Sequence, residues 1–309
     1  MKQNRLISHK VHSETLESIL KSARDRIQRE GDKPYVSVAR QLELLTHLSQ
    51  FDFGRYLLQN QGINGYWTDY MLTHPWFGRE TGKNNRGEPM GELESFILNR
   101  SPLMLATQER FSIFLNENQK QVKDGAQLAS IPCGLMGELL YLNYNNISNI
   151  TLYGFDYDPE TLIEACELAQ QKGLTQYTKL VEQDVWELAL KHELDLISSN
   201  GLTIYEADDT KVTELYGIFY RALKPGGKLV SSFLTPPPHL NDACEWELGL
   251  LDQKDLLLQK IIFVDIINAK FQCYRSSEQA HQQLRDAGFM DIKFIYDRAK
   301  LFPTIVAQK

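Results

Sequence analysis

Two rhythms of apolar residues divide the chain. In residues 1–120, Leu16, Ile19, Leu20, Ala23 and Ile27 recur at the spacing of one helix face, as do Val38, Leu42, Leu45 and Leu48. Ser101 followed by Pro102 predicts another helix start, a capping residue before a proline at the first helical position. That helix runs through Leu105, Phe111, Phe114 and Leu115. Between them, residues 62–91 lack a clean period and are rich in Gly, Asn and aromatic residues. Residues 78–87 have almost nothing to bury and are expected to form a mobile loop.

From about residue 124 short apolar runs alternate with helical ones. The predicted strands are 127–132, 150–155, 177–181, 194–199 and 228–234, with crossover helices at 159–172 and 208–223. Strand and helix in alternation predict an α/β fold, a doubly wound, mostly parallel sheet covered on both faces. Toward the end the pattern predicts a long helix over 242–268, a helix over 276–287 and two strands, 292–296 and 303–307. The expected organisation is a helical region, 1–120, ahead of a sheet domain, 121–309.

Composition changes this picture little. Hydrophobic residues make up 42% and charged residues 24%, which are ordinary globular values. No run of eighteen apolar residues occurs, so no spanning helix is expected. The opening MKQNRLISHKVHSE has no apolar leader core, and the four cysteines (Cys133, Cys166, Cys244 and Cys273) form no CxxC pair. A reducing, cytoplasmic setting is therefore expected, with no zinc site and no disulfide framework. The net charge of −7 is uneven: residues 1–120 carry 16 Lys/Arg against 14 Asp/Glu, and residues 121–309 carry 17 against 26. An acidic main domain repels a polyanion, which disfavours nucleic acid and favours a small molecule as partner.

In a doubly wound sheet, ligands bind beyond the carboxyl ends of the strands. The first strand ends in Ile131-Pro-Cys-Gly-Leu-Met-Gly137, where glycine lets the backbone turn sharply and approach a ligand. The second ends in Tyr153-Gly-Phe-Asp-Tyr-Asp-Pro159. Asp156 stands 22 residues after Gly134, the spacing at which a strand-end carboxylate meets a bound ribose. Asp158, directly before Pro159, suits the cap of the next helix. Asp184 ends the third strand, and Ser198-Ser-Asn-Gly-Leu202 ends the fourth. Cys133 has no neighbouring His or Lys to activate it and reads as a small filler lining the turn.

With Arg221-Ala-Leu-Lys-Pro-Gly-Gly-Lys-Leu229 and the closing Leu284-Arg-Asp-Ala-Gly-Phe289, these motifs resemble, in order and spacing, a class I S-adenosylmethionine-dependent methyltransferase. The resemblance covers the chain from about residue 121. It implies a seven-stranded Rossmann-like sheet, S-adenosylmethionine as cofactor, and a cofactor site at Cys133, Gly134, Leu135, Gly137, Asp156, Tyr157, Asp184, Val185, Asn200 and Gly201. In it Asp156 would hold the ribose, Tyr157 would lie against the adenine, and Asp184 with the Val185 backbone would read the adenine edge. The pattern departs from the family in three places: Ser130 stands where an acid is usual, Pro132 replaces the first glycine, and one residue is added before Gly137. Asn200, or a residue from the N-terminal region, is the candidate substitute for the missing carboxylate contact to the methionine amino group.

The acceptor side offers fewer signals. Tyr205 and Glu206 follow the fourth strand and are the candidates to orient or deprotonate an acceptor. Trp67, Tyr70 and His74 belong to an aromatic stretch that either packs the helical region or forms a substrate lid. Arg100 is a candidate for an acidic substrate group, and Arg110 shares that chemistry, although both suit solvated or ion-paired positions. No cluster of His, Asp and Glu at metal-ligand spacing stands near the strand ends. Two other functions fit parts of the pattern: a non-catalytic adenosyl-ligand-binding regulator, and an NAD-dependent dehydrogenase, which requires the full Gly-x-Gly-x-x-Gly.

Overall fold

The computed structural model describes residues 15–240 and 244–309. Residues 1–14, read above for a leader, and residue 242, where the long helix was to start, lie outside the described residues. Contacts between Cα atoms divide the described chain into a helical unit, residues up to 108 with 248–272, and a sheet unit, 109–247 with 273–309. This division falls between Gln108 and Glu109, inside a helix, where the change of sequence pattern lies at about residue 120, and it joins residues 248–272 to the helical unit.

The helical unit contains α1 (Leu16–Glu30), α2 (Val38–Leu48), α3 (Asp52–Asn60), α4 (Gly65–Phe77) and α5 (Glu92–Asn99). The first turns of α6 (Pro102–Gln119) belong to it as well. Thr15, Ser37 and Asn64 cap α1, α2 and α4 by accepting backbone N–H groups. The 62–91 stretch holds α4, which the sequence pattern missed because its apolar residues face all round rather than forming a stripe. The 78–87 loop is tied down: Arg86 and Asn85 both donate to Asp52, which also pairs with Arg55. The expected long helix is shorter: Asp252 caps α10 (Gln253–Lys260), which continues as a π-helical turn, Ile261–Ile266. Polar bonds explain why this segment joins the N-terminal helices. Arg26 donates to the Asp265 carbonyl at 2.6 Å, Lys33 to its carboxylate at 2.7 Å, and Ser101 Oγ to Gln259 at 2.8 Å.

The sheet unit has seven strands: β1 (Ala126–Ser130), β2 (Ile150–Asp156), β3 (Thr178–Glu182), β4 (Leu194–Ser199), β5 (Leu223–Ser232), β6 (Met290–Ile295) and β7 (Thr304–Gln308). Their order is β3-β2-β1-β4-β5-β7-β6, with β7 antiparallel to both neighbours. The order reverses between β1 and β4, the switch point beyond whose carboxyl ends ligands bind in such sheets. The buried strands read as near-continuous apolar runs because both faces are covered. On one face α9 (Asp209–Ala222) and α11 (Ser277–Asp286) pack Val212, Leu215, Phe219 and Leu284 against Ile197, Leu229 and Ile305. On the other, Leu168 and Ala169 of α8 (Pro159–Gln171) and Leu139 of the short α7 (Gly137–Leu140) pack against Leu128, Leu152 and Val230. No helix among the described residues is long and apolar enough to cross a membrane.

Candidate functional site

The turn after β1 is built around a single carboxylate. Gly134 and Met136 both adopt positive φ, 49° and 62°, a conformation that favours glycine at the first position. Cys133 N–H donates to the Phe155 carbonyl at 2.8 Å, which ties the turn to β2. Gly134 N–H donates to Asp156 Oδ2 at 3.0 Å, and Asp158 N–H donates to Asp156 Oδ1 at 3.2 Å. Asp156 therefore holds the turn, a role that spacing alone did not reveal. Gly154 permits the close approach: a Cβ there would lie 2.7 Å from Leu180 Cδ2 and 3.1 Å from Cys133 Sγ. Cys133 itself is buried, and burial pushes its thiol well above the usual range, so it fills space rather than reacting. Gly137 opens α7, with Leu135 half-buried just before it.

Asp158 caps α8, donor and acceptor arranged as expected, with Glu160 N–H at 3.0 Å. Asp184 caps the short turn that carries Val185, accepting from Trp186 N–H at 3.1 Å. Tyr157, next to Asp156, is 43% exposed. Beyond β4, Gly201 takes φ 77° and donates to Ser232 Oγ at 3.2 Å, while Asn200 Oδ1 is buried without a hydrogen-bond partner. An acceptor so placed suits an ammonium, and the Asp156 carboxylate suits paired hydroxyls. These residues fit an adenosyl amino acid.

The carboxylate absent at Ser130 returns from a different position. Ser130 Oγ donates to Glu138 Oε1 at 2.8 Å, and both residues are buried. Asn118 on α6 donates from Nδ2 to the Glu138 carbonyl and to Ser198 Oγ, at 3.1 and 3.0 Å. Sequence reading missed Glu138 because it stands eight residues beyond the strand end it serves.

The acceptor-side candidates are placed less uniformly. Glu206 accepts from Asp208 N–H at 2.9 Å and lies 4.0 Å from Lys211, so its carboxylate serves the start of α9. Tyr205 ends the short turn Thr203–Tyr205. That turn is held by Arg275, which is buried and donates to the carbonyls of Thr203 and Glu206 and to Asp209 at 3.0, 2.5 and 2.9 Å. Nothing in the local sequence marks Arg275, because its partners lie some seventy residues away.

Trp67, Tyr70 and His74 come together inside the helical unit. Trp67 stacks on Phe53 at 5.2 Å between ring centres, and Tyr70 meets Trp67 edge-on at 5.4 Å. Tyr70 donates to Glu94 at 3.1 Å, and the buried His74 pairs with Asn99 at 2.9 Å. Burial raises both the Glu94 carboxyl and the Tyr70 phenol and lowers His74. Arg100 does not join this group; it pairs with Asp255, and its side chain is 63% exposed. Among the described residues no group of three or more His, Cys, Asp or Glu could hold a metal ion.

Residues 131–231 match the family model described as a methyltransferase domain. A solved structure of a possible exported protein from Bordetella parapertussis is 42% identical, with a TM-score of 0.89 and 95% of each chain covered. A SAM-dependent methyltransferase from Aquifex aeolicus is 16% identical over 66% of this chain and 92% of that one, with a TM-score of 0.44. Phosphoethanolamine N-methyltransferase 2 of Haemonchus contortus, in complex with S-adenosyl-L-methionine, is 14% identical over 64% and 52%, with a TM-score of 0.46. No curated protein matches the chain. With a methyltransferase domain over residues 131–231 on a sheet of this order, the chain belongs to the class I S-adenosylmethionine-dependent methyltransferases.

Proposed function

We propose that this chain transfers a methyl group to a small-molecule acceptor in the cytoplasm. S-adenosylmethionine, its cofactor, supplies an electrophilic methyl group on a sulfonium when bound. The observation that carries the reading is the Asp156 carboxylate, fixed by Gly134 and Asp158 N–H groups at the end of β2. Asp156 holds the ribose, Tyr157 covers the adenine face, Asp184 and Val185 meet the adenine edge, and Asn200 accepts from the amino group. Cys133, Gly134, Leu135 and Gly137 form the wall of the turn, and Gly201 leaves room at the floor.

Methyl transfer is a direct displacement, so the chain's main task is to align an acceptor and exclude water. Tyr205 is the residue we assign to orienting the acceptor, since Glu206 serves the start of α9. The excess of acid in residues 121–309 speaks against a nucleic acid acceptor. The four free cysteines suit a reducing compartment.

The test is incubation with methyl-labelled S-adenosylmethionine and pooled small metabolites. Label in a new product with stoichiometric S-adenosylhomocysteine supports the reading. Tight cofactor binding without S-adenosylhomocysteine from any pool would leave a non-catalytic binder instead.

A further inference from the structure

Arg110 lies on α6 and is 3% exposed, yet no ion pair reaches it among the described residues. One Nη donates to Ser232 Oγ at 2.8 Å, and Nε is buried with no partner. The guanidinium carbon stands 3.6 Å from the centre of the Phe302 ring and 5.8 Å from that of Phe114. The carboxylates that act on it from a distance are engaged elsewhere. Glu138 accepts from Ser130, and Asp297 accepts from the N–H groups of Ala299, Leu301 and Phe302. Burial pulls the Arg110 group down to about 9, against the pull of those two acids. A buried cation with no direct ion-pair partner is costly to keep.

Resting on the methyltransferase reading above, we propose that Arg110 is the anchor for a carboxylate on the methyl acceptor. A guanidinium with an unsatisfied edge matches a flat carboxylate through two parallel bonds. One guanidinium charge balances one carboxylate, whereas a phosphate dianion would leave an uncompensated negative charge in the field of Glu138 and Asp297. Gly201 presents no side chain beside the group: a Cβ there would meet Arg110 Nη1 at 3.6 Å and Ile204 Cδ1 at 3.9 Å. The position adjoins the Gly201 turn, since Arg110 and Gly201 N–H both donate to Ser232 Oγ. Ser232 ends β5, three strands in the sheet order from Asp156 on β2, a separation of roughly 14 Å.

The experiment uses wild type, Arg110→Met and Arg110→Lys, each saturated with S-adenosylhomocysteine and titrated with acetate and benzoate. Acetamide and benzamide serve as neutral isosteres, and the melting temperature is read throughout. Both carboxylates should raise the wild-type value saturably, at least tenfold more weakly with either variant, and the amides should do nothing. Ligand-free Arg110→Met should melt no lower than wild type, since an unpaired charge has gone. Two results overturn the proposal: Arg110→Met melts lower while benzoate shifts every protein alike, or neither carboxylate shifts wild type. A third does so as well: the variants lose S-adenosylhomocysteine affinity but keep that for methylthioadenosine, which would assign the guanidinium to the cofactor's own carboxylate. Failure of wild type to bind S-adenosylhomocysteine would refute the cofactor site separately, and the carboxylate titration would still read Arg110.

Discussion

Ser130 Oγ donates to Glu138 Oε1 at 2.8 Å, so the strand end that lacks an acid recovers one from the first turn of α7. Exchanging the pair tests this relationship. Glu138→Gln should weaken S-adenosylhomocysteine binding about tenfold, the worth of a charged hydrogen bond in a buried network. Ser130→Asp alone places two carboxylates in contact and should lower stability. Ser130→Asp with Glu138→Ser should recover most of both losses, as a double-mutant cycle in binding and melting temperature would reveal.

Glu94 is 1% exposed and accepts from Tyr70, and burial raises its carboxyl. A raised folded value means that the native state binds the proton more tightly than the unfolded chain. The stability this contributes is full below the unfolded value, about 4.3, and is lost as pH rises through the folded value. Glu94→Gln keeps the acceptor for Tyr70 and cannot ionise. Melting curves at pH 4 and pH 7 should show the variant equal to wild type at the first and more stable at the second.

Trp67 is 7% exposed and packed on Phe53, Tyr66 and Tyr70. Trp67→Ala should cost about 3–5 kcal/mol by opening a cavity, measured by denaturant unfolding. Trp67→Phe fills much of that space and should restore most of the stability.

The fold of the sheet unit was legible because its signals are local. Apolar runs of strand length, Asp158 before Pro159 and the Lys224-Pro-Gly-Gly227 turn each act within a few residues, and the strand and helix predictions agree with the structure to within a few residues, apart from the start of β5. The turn at Gly134 and its carboxylate, Asp156, followed from a spacing that a βαβ unit imposes. What was hidden depends on contacts between distant residues. Glu138 compensates for Ser130, Arg275 braces the turn at Tyr205 across about seventy residues, and Gln259 and Asp265 draw residues 248–272 to the N-terminal helices. The α4 segment was hidden for another reason: aromatic residues on every face erase the period that marks a surface helix.

The most direct measurement is calorimetric titration of wild type and Asp156→Ala with S-adenosylhomocysteine. Wild type should bind one molecule per chain. The variant loses a charged acceptor that serves both the ligand and the Gly134 turn, so its affinity should fall at least tenfold, with a lower melting temperature from the two lost backbone bonds. Equal affinity for both proteins would contradict the assignment of Asp156 and the crevice at β1 and β2. No binding to wild type would contradict the cofactor site as a whole.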